Sequence, residues 1–416
     1  LVGPWVWRMS QIMKRVWGWN PLSSRWHFLL YAPGHDSLEM GSWMTECLDT
    51  TIEPTFTEND FNKFDGLLEK KLMQLDCDID EKFGCPPDVL KALRLKTEGC
   101  SGSTKTGVRY SVNGTRGSGE PKTTLGNTRI NALAHVYTFC RLHRVTPRRL
   151  LDWPHAGVGD VEVVPVKSVF HEALFMNDDF YFHQHFSESH YEPLVLPDQK
   201  TISAPLFHGT FAGDDGLCIT PAKRTPTSHG WQHGMSELGL SAATSVTDRL
   251  PLVEFCSALF WPTGLEDGWA DKYRNLMYPP RFQLAPKPGR LFSRLGWAEK
   301  PVQDDIAWIR GVALGLRNDT MHVPFAFNLI STMLKLTAGV RAKAIYEQQR
   351  FRSETPGSMV AATWDFLLER YGLGEQHVEE VVKLLRKVKS FPVLISDPII
   401  SRLIAVDMDV SSESMQ

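Results

Sequence analysis

Two adjacent acids behind a glycine, Gly213-Asp214-Asp215, constrain this chain more than any other stretch of it. Leu206, Phe207 and Phe211 precede them, and Gly216 and Leu217 follow. An apolar run broken by a glycine and then resumed predicts a β-hairpin whose tip presents both carboxylates. Neighbouring carboxylates repel each other unless a cation neutralises them, and hard oxygen donors suit Mg²⁺ or Mn²⁺. The same tripeptide also fits an ordinary polar turn, so the rest of the sequence has to decide.

Upstream, Asp60-Phe61-Asn62-Lys63-Phe64-Asp65 sets two acids five positions apart. The Thr/Glu-rich stretch 51–57 before it reads as extended, and Leu67, Leu68, Leu72 and Leu75 after it read as helical. A strand ending at Asp60 lays that carboxylate beside the hairpin tip. Three acids can then hold two metal ions for an in-line phosphoryl displacement. Asp65 lies too far along to be a ligand and faces whatever the metals hold. A solvated helix N-terminus is the plainer reading of this segment alone.

Between the two lies Gly114-Thr115-Arg116-Gly117-Ser118-Gly119-Glu120-Pro121-Lys122-Thr123-Thr124-Leu125-Gly126-Asn127. Its glycines predict a mobile loop, and Thr123 onward predicts a helix through Ile130, Leu133, Ala134 and Tyr137. Thr123 and Asn127, four apart, share one face of that helix and suit a sugar hydroxyl. Alone, the segment is also a glycine-rich turn with a threonine cap.

In this order, Asp-x4-Asp, Ser-Gly-x3-Thr-x3-Asn, Gly-Asp-Asp and Glu254-Phe255-Cys256-Ser257 resemble motifs A, B, C and E of the RNA-dependent RNA polymerases of positive-strand RNA viruses. The details are most similar to the tombusvirus-like and nodavirus-like groups, and the motifs span roughly half the chain. The resemblance implies an α+β right-hand fold of palm, thumb and partial fingers, the palm an antiparallel sheet backed by helices. It implies template-directed ribonucleotidyl transfer from nucleoside triphosphates to an RNA 3′ end. Mg²⁺ would be the cofactor, with Mn²⁺ able to substitute.

Residue by residue, it implies Asp60 and Asp214 as metal ligands, with Asp215 a weaker third. Asp65 and Asn127, supported by Thr123 or Ser118, would recognise the ribose 2′-hydroxyl, and Gly119 would be the pivot of the loop. Arg116, Glu254, Cys256, Ser257 and Arg290 would meet RNA. Partners would be an RNA template, a primer or nascent strand, nucleoside triphosphates and other viral replicase proteins. The setting implied is host cytoplasm, at membrane-associated complexes reached through segments outside this chain.

Two departures stand out. The family's motif D lysine, the proposed general acid, has no counterpart in Glu237–Thr244, and His229, His233 and Arg249 are weak substitutes. The basic motif F that grips the triphosphate also has no clear match before Asp60, where Arg8, Lys14, Arg15 and Arg25 are the only cations. The expectation is a polymerase lacking much of its fingers, its Trp-rich segment 1–50 left partly exposed. A divergent compact fingers domain is the other reading. The alternative function is a catalytically incompetent, RNA-binding polymerase fragment. A reverse transcriptase fits less well, because Asp65 and Asn127 welcome the hydroxyl that such enzymes exclude.

A net charge of −3 is awkward for a nucleic-acid enzyme, so local cations must serve: 141–149, Lys287 to Arg294, and Lys383 to Lys389. Seven scattered cysteines without a Cys-x2-Cys pair point to a reducing compartment and no zinc knuckle. No apolar run reaches membrane-spanning length. The expected division is a fingers remnant at 1–50, a palm at 51–262 and a mostly helical thumb at 263–416. Within the palm, a fingers insertion lies near 81–104 and an extra insertion near 150–200. That second insertion holds His183 and His185, a pair read as a polar strand in preference to a zinc site.

Overall fold

The strand predicted to carry Asp60 is Pro54–Phe61, and it lies next to the strand that begins at the second of the two central acids. The computed structural model describes residues 2–21, 25–112, 114–144, 193–195, 201–203, 206–265, 278–295, 302–342, 355–391 and 395–408. Its contacts divide the chain into two units, Leu1–Pro33 with Cys47–Asp248, and Gly34–Glu46 with Arg249–Gln416.

The sheet of the first unit has five strands. Numbering only the strands used below, these are β1 (Leu29–Tyr31), β2 (Pro54–Phe61), β3 (His208–Ala212), β4 (Asp215–Pro221) and β5 (Ala242–Thr247). Their spatial order is β5-β2-β4-β3-β1. The pairs β5/β2, β2/β4 and β4/β3 are antiparallel, but β1 runs parallel to β3. The sheet is therefore mixed, not antiparallel throughout. The long stretch of chain between Tyr31 and His208 makes that parallel return possible.

Helices α1 (Gly3–Val16), α2 (Lys70–Lys82), α3 (Thr123–His143) and α4 (Ser228–Glu237) belong to this unit. Alternation along β2 sends Asn59 and Phe61 toward His135 of α3, which leaves Glu58 and Asp60 on the opposite face. One core gathers Phe61, Phe139, Phe207, Phe211, Trp231 and Met235 from the sheet and its helices.

The Trp-rich segment departs from expectation. Trp5, Val6, Met9 and Met13 form a stripe on α1 that is buried in this same core, and Trp17, Trp26 and Trp43 are buried too. Full burial of such side chains stabilises by about 1.5–3 kcal/mol each, which draws the helix inward. Trp7, 69% exposed, and Trp19, half-buried, are the exceptions. Leu29–Tyr31 is moreover a strand of the sheet that holds Asp60, so the segment is no separate lobe.

In the second unit β6 (Ala258–Pro262) pairs with β7 (Phe282–Pro286). Around them lie α5 (Pro288–Arg294), α6 (Asp305–Thr320), α7 (Pro324–Leu336), α8 (Ala361–Tyr371), α9 (Glu375–Leu385) and α10 (Pro398–Met408). Trp261 packs against Phe366 at 4.5 Å between ring centres. A Cβ at Gly289 would lie 2.1 Å from the Leu403 carbonyl oxygen, so only glycine lets α5 and α10 approach this closely. Because β6 pairs with β7, the division falls after Asp248 and not after 262. Gly34–Glu46 joins the second unit for a similar reason, since a Cβ at Gly41 would overlap the Phe282 carbonyl.

Segment 81–104 forms the helix Pro87–Thr97 and one strand of the hairpin Cys100–Ser103/Arg109–Val112. The insertion near 150–200, His183 and His185 included, lies outside the described residues apart from Pro193–Val195. Cys77, Cys85, Cys140 and Cys218 are buried free thiols, and Cys47 is buried as well. Among the described residues no helix is long and apolar enough to cross a membrane.

Candidate active site

Gly213 and Asp214 form the two-residue turn between β3 and β4. Gly213 has φ +69°, whereas Asp214 is not among the positive-φ residues. A glycine in the first central position is the pattern of a type II′ hairpin, whose twist matches that of the strands. Asp214 is exposed at the tip, and Asp215 opens β4 half-buried. Gly216 pairs with Asn59, so the register carried one residue further sets Asp215 opposite Asp60. Directly opposed residues of antiparallel strands have Cα atoms about 4.5–5.5 Å apart, with both side chains on one face. That is the face away from α3, where Asp60 is exposed.

From the opposite face, α3 holds the tip. Thr128 Oγ1 accepts the Gly213 amide at 2.8 Å. Asn131 Nδ2 donates to the carbonyls of Gly213, Asp214 and Asp215 at 3.1, 2.9 and 3.2 Å. One turn on, His135 Nδ1 meets the Asn131 carbonyl at 2.9 Å, and its Nε2 meets Asn59 Nδ2 at 2.7 Å. Burial holds His135 down to about 4, against a slight upward pull from the Asn131 carbonyl, so the ring is neutral.

The two residues expected to read a sugar hydroxyl are joined to each other. Asn127 Nδ2 donates to Asp65 Oδ1 at 2.6 Å. Asp65 sits in the one-turn helix Phe64–Leu67, which starts because Lys63 takes φ +57° and turns the chain out of β2. Asn127 Oδ1 is buried and has no hydrogen-bond partner among the described residues. Its amide orientation is fixed, since reversing it would set oxygen against the Asp65 carboxylate. Thr123 Oγ1 donates to the Gly117 carbonyl at 2.9 Å and thereby braces the loop. Ser118 and Gly119 are exposed, and Gly119 has φ +81°.

Arg116 corrects the sequence reading. Instead of facing RNA it is 4% exposed, with Nη2 on Asp76 Oδ2 at 2.9 Å. Lys122 contacts Asp76 and Asp80 at 2.8 and 2.5 Å, and Arg129 contacts both acids as well. Burial opposes ionisation of Asp76, yet Arg129, then Lys122 and Arg116, hold it well below the usual carboxylate range. Three buried cations on two carboxylates tie α2 to the base of the loop and to α3. The Arg116 amide then donates to the Asp65 carbonyl at 3.1 Å.

Glu254, Cys256, Ser257 and Arg290 belong to the second unit. The Glu254 carboxylate takes Lys287 Nζ and Arg370 Nη2, both at 2.6 Å, and so braces the second unit from a half-buried position. Cys256 and Ser257 have φ +52° and +61° in a turn closed by reciprocal Phe255–Ala258 backbone bonds. Arg290 is half-buried, and burial followed by Arg294 lowers its affinity for protons. Lys383, Arg386, Lys387 and Lys389 are all exposed at the end of α9. Of the motif D substitutes, His229 and His233 lie on α4, and Arg249 pairs with Glu369 at 2.7 Å.

Sequence reasoning missed Asn59, Thr128, Asn131, His135, Asp76, Asp80, Lys122 and Arg129. A signal for two of the eight was there: Asn131 and His135 continue the four-residue spacing that starts at Asn127, on a helix otherwise rich in apolar residues. Fourteen of the helix's residues are buried, polar ones included, which hides any amphipathic pattern.

Asp60, Asp214 and Asp215 offer only carboxylate oxygens at solvent-accessible positions, a donor set that fits Mg²⁺ or Mn²⁺. Among the described residues, no group of three or more acidic, histidine or cysteine side chains is already placed to hold a metal ion, these three acids included. No protein-family model matches the chain, and no curated protein matches it.

Proposed function

We propose that this chain is an RNA-dependent RNA polymerase, with the first unit as palm and the second as thumb. The observation that carries the reading is the register that sets Asp60 opposite Asp215 beside the exposed Asp214. Asp60 and Asp214 would hold the divalent ions, with Asp215 as third donor. Bound there, two such ions would stabilise charge on the attacking 3′ oxygen and on the departing pyrophosphate.

The other residues act on the substrate. Asn127 keeps Nδ2 on Asp65 and leaves Oδ1 without a donor, a state that disfavours the empty site by about 1–3 kcal/mol. A ribose 2′-hydroxyl is a donor that a deoxyribose lacks, so the pair would select ribonucleotides. Asn127 and Asp65 would thus orient the sugar while the acids orient the phosphates. The exposed cations at the end of α9 would take RNA phosphates.

The test is primer extension on a homopolymer RNA template with Mg²⁺ and the matching nucleoside triphosphate. Extension that disappears in Asp214→Ala supports the reading. RNA binding without extension would favour an RNA-binding protein that does no chemistry, and neither activity would remove the reading.

A further inference from the structure

Among the described residues, the hydrogen bonds that α3 makes to the hairpin tip come from neutral groups. Thr244 Oγ1 on β5 donates to Asn59 Oδ1 on β2, and Asn59 Nδ2 faces His135 Nε2. A carbonyl can only accept, so His135 Nδ1 carries the proton toward Asn131 O and Nε2 accepts from Asn59. Asn131 then turns its amide onto three successive tip carbonyls, and Thr128 takes the Gly213 amide. Asn59, Thr128, Asn131 and His135 are all at most 3% exposed.

We propose that Asn131, backed by the relay through His135 and Asn59, is a positioning residue that fixes the Gly213–Asp215 tip against the strand carrying Asp60. The clamp stands on geometry; only its consequence for metal binding rests on the polymerase reading. Three observations argue for it. Asn59 precedes Asp60 directly, so the relay begins at one metal-ligand candidate and ends at the other two. Turning the three carbonyls inward leaves the side chains of the tip to point outward. Asn131 Oδ1 is buried without a hydrogen-bond partner among the described residues, so the amide is oriented for the tip and not for its own full satisfaction.

The absence of formal charge also has a reason. A buried cation in this position would weaken the pull of Asp214 and Asp215 on a divalent ion, which hydrogen bonds from neutral groups do much less.

The experiment compares wild type with Asn131→Leu, His135→Leu, His135→Gln and Thr128→Val by hydrogen exchange and by Mn²⁺ binding without nucleotide. Asn131→Leu should speed exchange in peptides covering 208–219 roughly tenfold, the equivalent of one lost hydrogen bond, while the second unit keeps its rates. Its Mn²⁺ affinity, read by electron paramagnetic resonance, should fall by a similar factor. His135→Gln keeps one donor and one acceptor and should stay near wild type, whereas His135→Leu should resemble Asn131→Leu.

Unchanged tip exchange in both leucine variants overturns the clamp, and so does a His135→Gln variant as loose as His135→Leu. Should Asn131→Leu fail to fold, Thr128→Val decides. It removes the acceptor of the Gly213 amide together with the hydroxyl's bond to the Thr124 carbonyl within α3, so faster exchange confined to the tip supports the clamp and unchanged tip exchange overturns it. If wild-type chain and Asp214→Ala bind Mn²⁺ equally poorly, the metal reading fails, while the exchange data still decide the clamp.

Discussion

Asp76 and Asp80 are at most 1% exposed among Arg116, Lys122 and Arg129, while Asp60 and Asp214, in the same unit, stand open to solvent. Both groups crowd carboxylates, and the crowding is resolved differently. The inner pair is neutralised by cations of the chain itself, which fastens α2 to the Gly-rich loop and α3. The outer acids are held from behind by uncharged donors, with their carboxylates on the other face. The inner acids are closed off by the protein, whereas Asp60 and Asp214, which we propose serve chemistry, face solvent. Distance in sequence does not tell the two apart; burial does.

The comparison breaks most sharply by substitution on either side of it. Asp214→Ala and Asp60→Ala should each lower nucleotide addition by about a thousandfold or more, the scale of losing metal-stabilised charge. Thermal unfolding and RNA binding should stay close to wild type. Near-normal extension by Asp214→Ala would remove the outer acids from chemistry.

Asp76→Ala should do the reverse. Stranding buried cations costs about 3–5 kcal/mol, so the unfolding midpoint should drop steeply in denaturant titration. A variant as stable as wild type would show that the inner cluster does not hold the fold.

Acid separates the two groups again. Burial lowers the proton affinity of His135, to about 4, and of His208, to about 3, with Arg25 and His27 adding to the second. Unfolded, each binds protons near the ordinary histidine value of about 6.5. The unfolded chain therefore takes up more protons between these values, and stability, full above about 6.5, should decline as pH falls toward 4 and 3. For His135 alone the loss is on the order of 3 kcal/mol. Asp76 is also held low, so its contribution should fade only below the ordinary carboxylate range. Unfolding free energy from pH 7 to 3 for wild type and His135→Gln measures this, and parallel curves would contradict the histidine share.

The smallest effect concerns the sugar. Asn127→Ala should narrow the preference for ribo- over deoxyribonucleotides by about tenfold, the value of roughly one hydrogen bond, with template binding little changed. Competing incorporation on one template reads the ratio, and an unchanged ratio would leave Asn127 as a packing residue.

The sequence alone determined the local parts of the site. Gly213 admits a hairpin turn that other residues resist, the Thr/Glu-rich stretch before Asp60 marks a strand, and the four-residue spacing of Thr123 and Asn127 sets them on one helical face. These rest on backbone geometry over a few residues, and so they are legible without a fold. What the tertiary structure decided is which polar groups meet across long separations. Arg116 reads as a surface cation in a flexible loop, yet Asp76, far away in sequence, draws it inside because two buried charges are tolerable only together. Segment 1–50 reads as a remnant, yet its Met and Trp stripe completes the core and Leu29–Tyr31 extends the sheet. Asn131 reads as one more helical residue until the tip is folded onto it, because a hydrogen bond to three backbone carbonyls leaves no trace in the identities of the residues that supply them.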